Sequence, residues 1–458
     1  MSQAPVSSAD GRVDTIVAPA TAVAPAGVAV VRLSGPDALA IGVRLSGRAA
    51  AGLPHGKMRF GTIYGPDGAI DEGYIVAFRA PKTFTTEDVI EVHSHGAAAV
   101  VRAICDAAVH WGARPARPGE FTRRAWLGGR LDLTQAEALL DLVSADSDSA
   151  RKQALSHLDG QLTQALGRVR MPLVGALAEL EARLDFATEE DVDDLDRQRL
   201  CGDLDDLASH LERLVASADA GRVRVQGARV TLYGAPNAGK STLFNALVGS
   251  DRALVHDQPG TTRDHVEARG ELDGLAVVWV DTAGIRDTEQ AVEAAGIERA
   301  RRAAAASDLV IWLADRSQPS PALEPPPGLG VEGGPVVLRY GSHADQPAAE
   351  GPHLQWPAIS ALNAQDVDRV RSDVSEAMRQ ATARFGEDLV LTRARQAKAL
   401  EIAAQHLRRA IEAIEDELSL ELPSADLRDA IDQLDEVTGA VVPDDVLDAI
   451  FSQFCIGK

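Results

Sequence analysis

The stretch Gly234-Ala235-Pro236-Asn237-Ala238-Gly239-Lys240-Ser241 constrains this chain more than any other. It fits G-x-x-x-x-G-K-S, a loop whose backbone N–H groups turn inward onto phosphate oxygens. The pattern carries weight only between a strand and a helix, and both flanks comply. Ahead of it, Ala228-Arg229-Val230-Thr231-Leu232-Tyr233 is short and partly β-branched, as a strand should be. Behind it, Ser241-Thr242-Leu243-Phe244-Asn245-Ala246-Leu247-Val248 reads as a helix, whose N-terminus adds partial positive charge at the loop. In such a loop Lys240 reaches the β- and γ-phosphates of a nucleotide, and the Ser241 hydroxyl ligates Mg²⁺.

The rest of a nucleotide site follows in order. Leu275 to Val280 reads as a buried strand running into Asp281-Thr282-Ala283-Gly284. An Asp at the carboxyl end of a parallel strand is placed to anchor Mg²⁺. Between the two lies Pro259-Gly260-Thr261-Thr262-Arg263-Asp264, where a threonine can complete the metal shell and order itself on the γ-phosphate as a switch. Two further strands are expected over Asp308 to Ala314 and Pro335 to Tyr340. The second leads to Ser342-His343-Ala344-Asp345, and a last strand ends at Ile359-Ser360-Ala361-Leu362. This order resembles the five motifs of small GTPases, in which the fourth reads Asn-Lys-x-Asp and the fifth Ser-Ala.

Two departures from that layout matter. Asp345 is kept, so the carboxylate that accepts two N–H bonds from guanine is present, but Ser342 replaces Asn and His343 replaces Lys. Loss of the Asn amide should cost about 0.5–1.5 kcal/mol, which predicts guanine selectivity with weakened affinity. The residue after Gly284 is Ile285, where many GTPases carry a Gln that orients water. An isoleucine cannot do this, so the nucleophile must be activated by other means.

Composition bounds the remainder. A chain of 458 residues should hold several domains. Cys105, Cys201 and Cys455 are too few for a disulfide framework, which fits a reducing cytoplasm. The Ala/Val-rich N-terminal run has no basic region before it and is broken by Pro25, Gly27 and Arg32, which predicts neither a signal peptide nor membrane insertion. The net charge of −22 argues against general nucleic-acid binding. Residues 1–130 depart from that balance, with 14 Lys+Arg against 11 Asp+Glu, so any contact with RNA must use local basic patches or a partner.

Pattern changes set the organisation. Residues 12–125 mix short β-rich runs with glycine turns. From Leu133 the apolar spacing becomes helical, through Ala136, Leu139, Leu140 and Val143 and later Leu162, Leu166, Leu173, Leu177 and Leu180. The proline-dense segment from Arg316 to Gly334 forbids a regular helix. A second helical block begins near Asp388. The expected fold is a multidomain α/β plus α chain. Its segments are an N-terminal α/β domain (1–125), a helical domain (126–225 and 385–458), and an inserted phosphate-loop domain with a Ras-like, parallel-rich sheet (226–384).

Further motifs make the resemblance specific. Asp14-Thr15-Ile16-Val17-Ala18, Val31-Arg32-Leu33-Ser34-Gly35, Phe84 to Val89, Arg117 to Ala125, Leu131 to Ala138 and the terminal Phe454-Cys455-Ile456-Gly457-Lys458 together resemble the tRNA-modifying GTPase family called MnmE or TrmE. The resemblance implies an N-terminal domain like folate-dependent one-carbon enzymes and a homodimer formed through it. It also implies an FAD-binding partner, MnmG (GidA). The pair would add an aminomethyl or carboxymethylaminomethyl group to carbon 5 of the wobble uridine of certain tRNAs, with carbon from 5-formyl- or methylene-tetrahydrofolate.

The same resemblance distributes roles. Asn237 matches a potassium ligand, with the stretch His256, Asp257, Gln258, Pro259, Gly260 and Thr261 completing the shell through backbone carbonyls, chiefly at His256, Gln258 and Thr261. Such a cation would neutralise charge between the β- and γ-phosphates. Thr262 matches the Mg²⁺-binding switch threonine, and Ser241 and Asp281 (indirectly) complete that set. Glu293 matches the carboxylate that positions water, and Arg286 would stabilise the same switch. GTP would rest on residues 237–242, 256–262, 281–284, 342–345 and 360–362. Arg32, Glu91, Arg130 and Lys458 match the folate positions, although Arg130 stands where Lys is common, and Cys455 lies beside Lys458 on a tail expected to be flexible. His93 and His95, two apart on a strand, would line a polar pocket or a dimer contact. A second function class stays open: a regulatory GTPase acting in ribosome assembly or at a membrane partner. The folate-like motifs and the Cys-Ile-Gly-Lys tail favour the first, since a plain switch needs neither.

Overall fold

The computed structural model describes residues 14–22, 25–185, 195–249, 266–282, 292–319, 325, 334–383 and 389–457, with backbone alone at 266, 292–297, 352 and 382–383. Packing divides the chain into two units, Met1–Leu140 with Leu434–Lys458, and Asp141–Gln433.

The first unit opens with β1 (Ile16–Pro19), β2 (Ala29–Ser34), α1 (Ala38–Ser46), β3 (Arg59–Gly65), β4 (Gly68–Phe78) and β5 (Val89–Ser94). It continues with α2 (Ala98–His110), β6 (Arg114–Pro115), α3 (Glu120–Leu127) and most of α4 (Leu133–Val143). The strands form one sheet in the order β3-β4-β5-β2-β1-β6, antiparallel except for the β1–β6 pair. Alternation along β2 and β5 decides its faces. Val31, Leu33, Ile90 and Val92 are buried with Ile41 and Leu45 of α1 and Val101 and Ile104 of α2. Arg32 and Glu91 stand opposite each other on the other face. Each fully buried aliphatic side chain stabilises the unit by about 1.5–3 kcal/mol, and a one-residue slip would turn every one of them outward.

The second unit begins with α5 (Asp148–Leu158), α6 (Gln161–Asp185), α7 (Arg197–Ala216) and α8 (Ala218–Gln226). Ser147 and Asp196 cap α5 and α7 by accepting from Ala150 N and Arg199 N. A lobe follows, made of β7 (Ala228–Gly234), α9 (Lys240–Gly249), β8 (Val266–Leu272), β9 (Leu275–Asp281), α10 (Val292–Ala305), β10 (Leu309–Asp315), β11 (Val336–Ser342) and α11 (Ala364–Ala383). The chain then returns through α12 (Ala394–Glu415) and α13 (Glu421–Thr438), whose last turn belongs to the first unit. Leu200, Leu204, Leu211 and Leu214 repeat at helical spacing, and that stripe of α7 packs along α12.

The lobe's sheet runs β11-β10-β7-β9-β8, parallel except for the edge strand β8. Its inner strands are almost continuously buried because helices cover both faces. Val230, Leu232, Val277 and Trp279 face Leu243, Leu247, Val370 and Val374, while Tyr233, Val310 and Trp312 face Ala304. The expected strand ending at Ile359 is instead a single bridge, Gly341 to Ala358. Pro357 offers a carbonyl to Gly341 N but has no N–H, so the ladder cannot extend there. Most of the proline-dense segment 316–334 lies outside the described residues.

The lobe's two ends meet on one helix. It leaves through α8, and the returning segment lies back on that helix, with Leu391 N donating to Ser217 Oγ at 3.2 Å. A Cβ on Gly221 would sit 1.9 Å from Leu391 O, so only glycine permits this approach. Arg393 pairs with Asp141, and buried His157 meets the same segment through the backbone of Val390. Arg222 of α8 also grips Asp308, whose other oxygen accepts from Arg229 N at 2.8 Å.

At the C-terminus, α14 (Asp444–Phe451) buries Leu447, Ile450 and Phe451, together with Phe454, against Trp126 and Leu133 in the first unit. Among the described residues, no helix is long and apolar enough to cross a membrane.

Candidate functional site

The phosphate loop forms at the carboxyl end of β7. Asn237 adopts a left-handed φ of 62°, which Asn tolerates better than most residues, and Leu243 N donates to Gly239 O at 2.9 Å to begin the helix. Ser241 and Thr242 stand exposed on the first turn of α9, while Ala238 is buried beneath the loop. Lys240 is buried. Its Nζ donates to Gly234 O at 2.9 Å and Ala235 O at 2.7 Å. Burial lowers its pKa against the opposing pull of Asp281. Asp281 ends β9 opposite Leu232, and Thr282 Oγ1 donates to Leu232 O at 2.9 Å. The structure thus brings Lys240, Asp281 and the start of α9 together at one edge of a parallel sheet, the place where such sheets bind ligands.

The fourth and fifth motifs meet at the next strand ends. Ile359 N donates to Gly341 O and Ala344 N to Ile359 O, so the two loops lie side by side. Ser360 Oγ donates to Asp345 Oδ1 at 2.7 Å, and this bond holds the exposed carboxyl of Asp345 below its ordinary pKa. Ser342 Oγ donates to Ala314 O at 3.2 Å, tying the loop back to β10. Ala361 is half-buried and Leu362 is exposed. His256, Asp257, Gln258, Pro259, Gly260, Thr261, Thr262, Ala283, Gly284 and Arg286 lie outside the described residues, as does Ile285. Glu293 is the second residue of α10, with its side chain outside the description.

A second constellation occupies the first unit. Arg32 Nε donates to Glu91 Oε1 at 2.9 Å, and its guanidinium lies 6.0 Å from the ring centre of Phe84 and 5.9 Å from that of Phe121. Two of the predicted folate residues therefore converge. His93 Nε2 stands 3.5 Å from Glu91 Oε2, whereas His95 lies past the end of β5 and pairs with Asp71. Arg130 is exposed in the turn after α3. The tail differs from expectation, because it is anchored. Phe454 is buried, and a Cβ on Gly457 (φ 97°) would lie 1.9 Å from Pro19 O, on the strand that neighbours Arg32's own. Cys455 between them is exposed, and Lys458 lies outside the described residues.

Sequence reasoning missed a neighbouring ion network. Arg124 donates to Asp14, Glu87 and Glu120, and Arg114 to Asp14 and Glu120. Ser34 Oγ donates to Glu87 Oε2 at 2.7 Å. Burial opposes ionisation of Asp14 and Glu120, but the hydrogen bonds and charges of the two arginines outweigh it and hold both pKa values low. All five residues were visible as acids and bases, yet nothing in a linear reading pairs Asp14 with Arg124.

Known proteins resemble the chain along almost its whole length. The profile of the MnmE helical domain matches residues 133–455, and that of the GTP-binding protein TrmE N-terminus matches residues 15–130. The tRNA modification GTPase MnmE of Thermus thermophilus is 41% identical over 449 residues, spanning 97% of this chain and 99% of the relative. Its counterpart in Syntrophotalea carbinolica is 41% identical over 458 residues, spanning 97% and 99%. That of Chloroflexus aurantiacus is 38% identical over 454 residues, spanning 97% and 100%.

Proposed function

Since this chain belongs to the MnmE family, we propose that it is a potassium-stimulated GTPase that modifies carbon 5 of the wobble uridine in certain tRNAs. It works with an FAD-dependent MnmG (GidA) partner, adds an aminomethyl or carboxymethylaminomethyl group, and draws the carbon from a folate. The observation that supports the nucleotide half is the convergence of Lys240, Asp281 and the Asp345–Ser360 pair at the carboxyl ends of parallel strands. The protein acts in the cytoplasm as a homodimer joined through residues 1–125, with 126–225 and 385–458 as the helical domain and 226–384 as the GTPase domain.

Ser241, Thr262 and Asp281 would hold Mg²⁺, and their all-oxygen donor set suits a hard cation. Asn237 with the carbonyls of His256, Gln258 and Thr261 would hold K⁺. Bound there, the two cations supply charge neutralisation at the β- and γ-phosphates. Lys240 exchanges its loop carbonyls for phosphate oxygens. Asp345 accepts the guanine N–H groups. Glu293 orients the attacking water, and Arg286 steadies the segment that carries it. In the first unit, Arg32, Glu91, Arg130 and Lys458 bind the folate, and Cys455 serves the modification rather than GTP hydrolysis.

Paired mutants test this assignment. Glu293→Ala should lose at least about 100-fold in GTP turnover with affinity unchanged, since the carboxylate acts on water rather than on ground-state phosphate. It should also lose tRNA modification. Cys455→Ser should lose modification while potassium-dependent hydrolysis stays near wild type. Equal hydrolysis in sodium and potassium would sink the cation role. Normal wobble-uridine modification by Cys455→Ser, read by mass spectrometry, would sink the role of the tail.

A further inference from the structure

We propose that Glu87 is a positioning residue for the folate, locking the loop 83–88 so that Phe84 lies beside Arg32 and Thr86 rests on the turn that carries Arg130. The inference rests on the folate reading above and deepens it, because it concerns how two separate binding residues are held in register. Glu87 stands between two elements. On one side is β2, the strand of Arg32, where Ser34 Oγ donates to Glu87 Oε2 at 2.7 Å. That hydroxyl has a single proton, so Thr85 Oγ1, 2.6 Å away, is the donor in their contact. On the other side is α3, where Arg124 Nη1 donates to both carboxylate oxygens, at 3.1 and 3.0 Å. Thr83 Oγ1 closes the loop onto Glu87 O at 2.6 Å. Asp88 accepts from Gly35 N at its carbonyl and from Ala80 N at Oδ1.

This many bonds hold a strained residue. Thr86 has a φ of 64°, which a β-branched side chain adopts only where its surroundings impose it. It packs directly on Gly128, where a Cβ would meet Thr86 Oγ1 at 2.1 Å. Gly128 N donates to Arg124 O at 2.8 Å and Arg130 N to Ala125 O at 2.9 Å, so the turn that presents Arg130 grows from the helix that grips Glu87. At the other end of the loop Phe84 packs with Ile16, Ala18 and Phe121, and both rings lie beside the Arg32 guanidinium. The face suits a folate. Arg32 and Glu91 pair at 2.8 Å and are half-buried, and the buried Nε2 of His93 makes no hydrogen bond. A pterin brings a flat ring for the aromatic side chains and N–H donors for the carboxylate. Such a surface is precise only when the groups lining it are fixed from behind. Without the Glu87 carboxylate, Arg124 keeps Asp14 and Glu120, so the scaffold persists. The loop loses its ties to β2 and α3 together, and the strain at Thr86 then favours its release.

The test is the affinity of the full-length protein for 5-formyl-tetrahydrofolate by calorimetry, set beside thermal unfolding and hydrogen exchange. Glu87→Gln should bind about tenfold more weakly, with faster exchange confined to the loop 83–88. Ser34→Ala, which removes no charge, should lose about threefold, and it decides the matter if Glu87→Gln does not fold. Asp14→Asn is the control, since it weakens the same arginine network away from the loop. It should lower the unfolding temperature by an amount comparable to Glu87→Gln while its folate affinity stays near wild type. Folded Glu87→Gln and Ser34→Ala with wild-type affinity would overturn the inference. So would an equal loss of affinity in Asp14→Asn, because the network would then act through the fold alone. Absence of folate binding by wild type would overturn the folate reading itself, and this inference with it.

Discussion

Arg124 in the first unit and Lys240 in the second are both buried cations, but they are compensated in different ways. Arg124 is surrounded by the carboxylates of Asp14, Glu87 and Glu120, and its remaining donor capacity goes to Asp14 O. Lys240 is held by two neutral carbonyls of its own loop, with Asp281 as the opposing charge. A cation ringed by carboxylates has no use for another anion, and removing it would leave Glu87 without an arginine and Asp14 and Glu120 on Arg114 alone. A cation on carbonyls forfeits only modest hydrogen bonds when an anion arrives, and gains charge-assisted ones. The first arrangement holds a scaffold together, and the second prepares a ligand site.

Four measurements can break or sharpen this contrast. Arg124→Met should destabilise the first unit by about 2–3 kcal/mol, the cost of losing charge-assisted hydrogen bonds to partly buried carboxylates. A thermal unfolding shift worth under about 1 kcal/mol would show that the network is dispensable. Lys240→Ala should do the reverse: folding stability changes by about 1 kcal/mol or less, while GTP affinity falls at least about 100-fold. Comparable losses of stability in both variants would erase the distinction.

Acid separates the units as well. Burial pushes the His157 imidazole down to about 4, against the smaller opposing bond from the Val390 backbone. The unfolded chain, titrating near about 6.5, then binds more protons between those values, so stability rises with pH across that window. At pH 5, hydrogen exchange in α5 should report a loss of about 2 kcal/mol relative to pH 7. The depressed carboxyls of Asp14 and Glu120 act lower. Their contribution is present above their unfolded values and is lost only as pH falls through the folded ones. Equal loss of protection in both units at pH 5 would contradict this order. The smallest effect concerns the base. Ser342→Asn should tighten GTP binding by about 0.5–1.5 kcal/mol, and unchanged affinity by calorimetry would mean that the loop is set differently around guanine.

What could be read from the chain alone follows from how local each feature is. The phosphate loop is eight consecutive residues whose conformation is fixed by its own glycines and flanks, so both its place and its geometry were legible. Asp345 and Ser360 are 15 apart, and a familiar motif order brought them together. Arg32 and Glu91 are 59 apart, and only the resemblance joined them before the register of β2 and β5 did. The Asp14–Arg124 pair spans 110 residues, and no periodicity encodes a contact across that distance. The tail looked free because four short residues carry no pattern. Its anchorage depends on Phe454 finding an aromatic pocket and on Gly457 fitting against a carbonyl.

The closeness of Leu391 to Gly221 has a consequence for the history of this gene. A segment whose two ends leave a scaffold within a turn or two of one helix can be gained or lost without tearing that scaffold. The contact supplies the adjacent entry and exit that such an exchange requires. It also limits which modules could take its place. Any substitute must begin and end at adjacent points and must leave position 221 without a side chain. A chain with the lobe excised and Gln226 rejoined to Val390 by a short flexible bridge should keep the contacts that α8 makes with the returning segment.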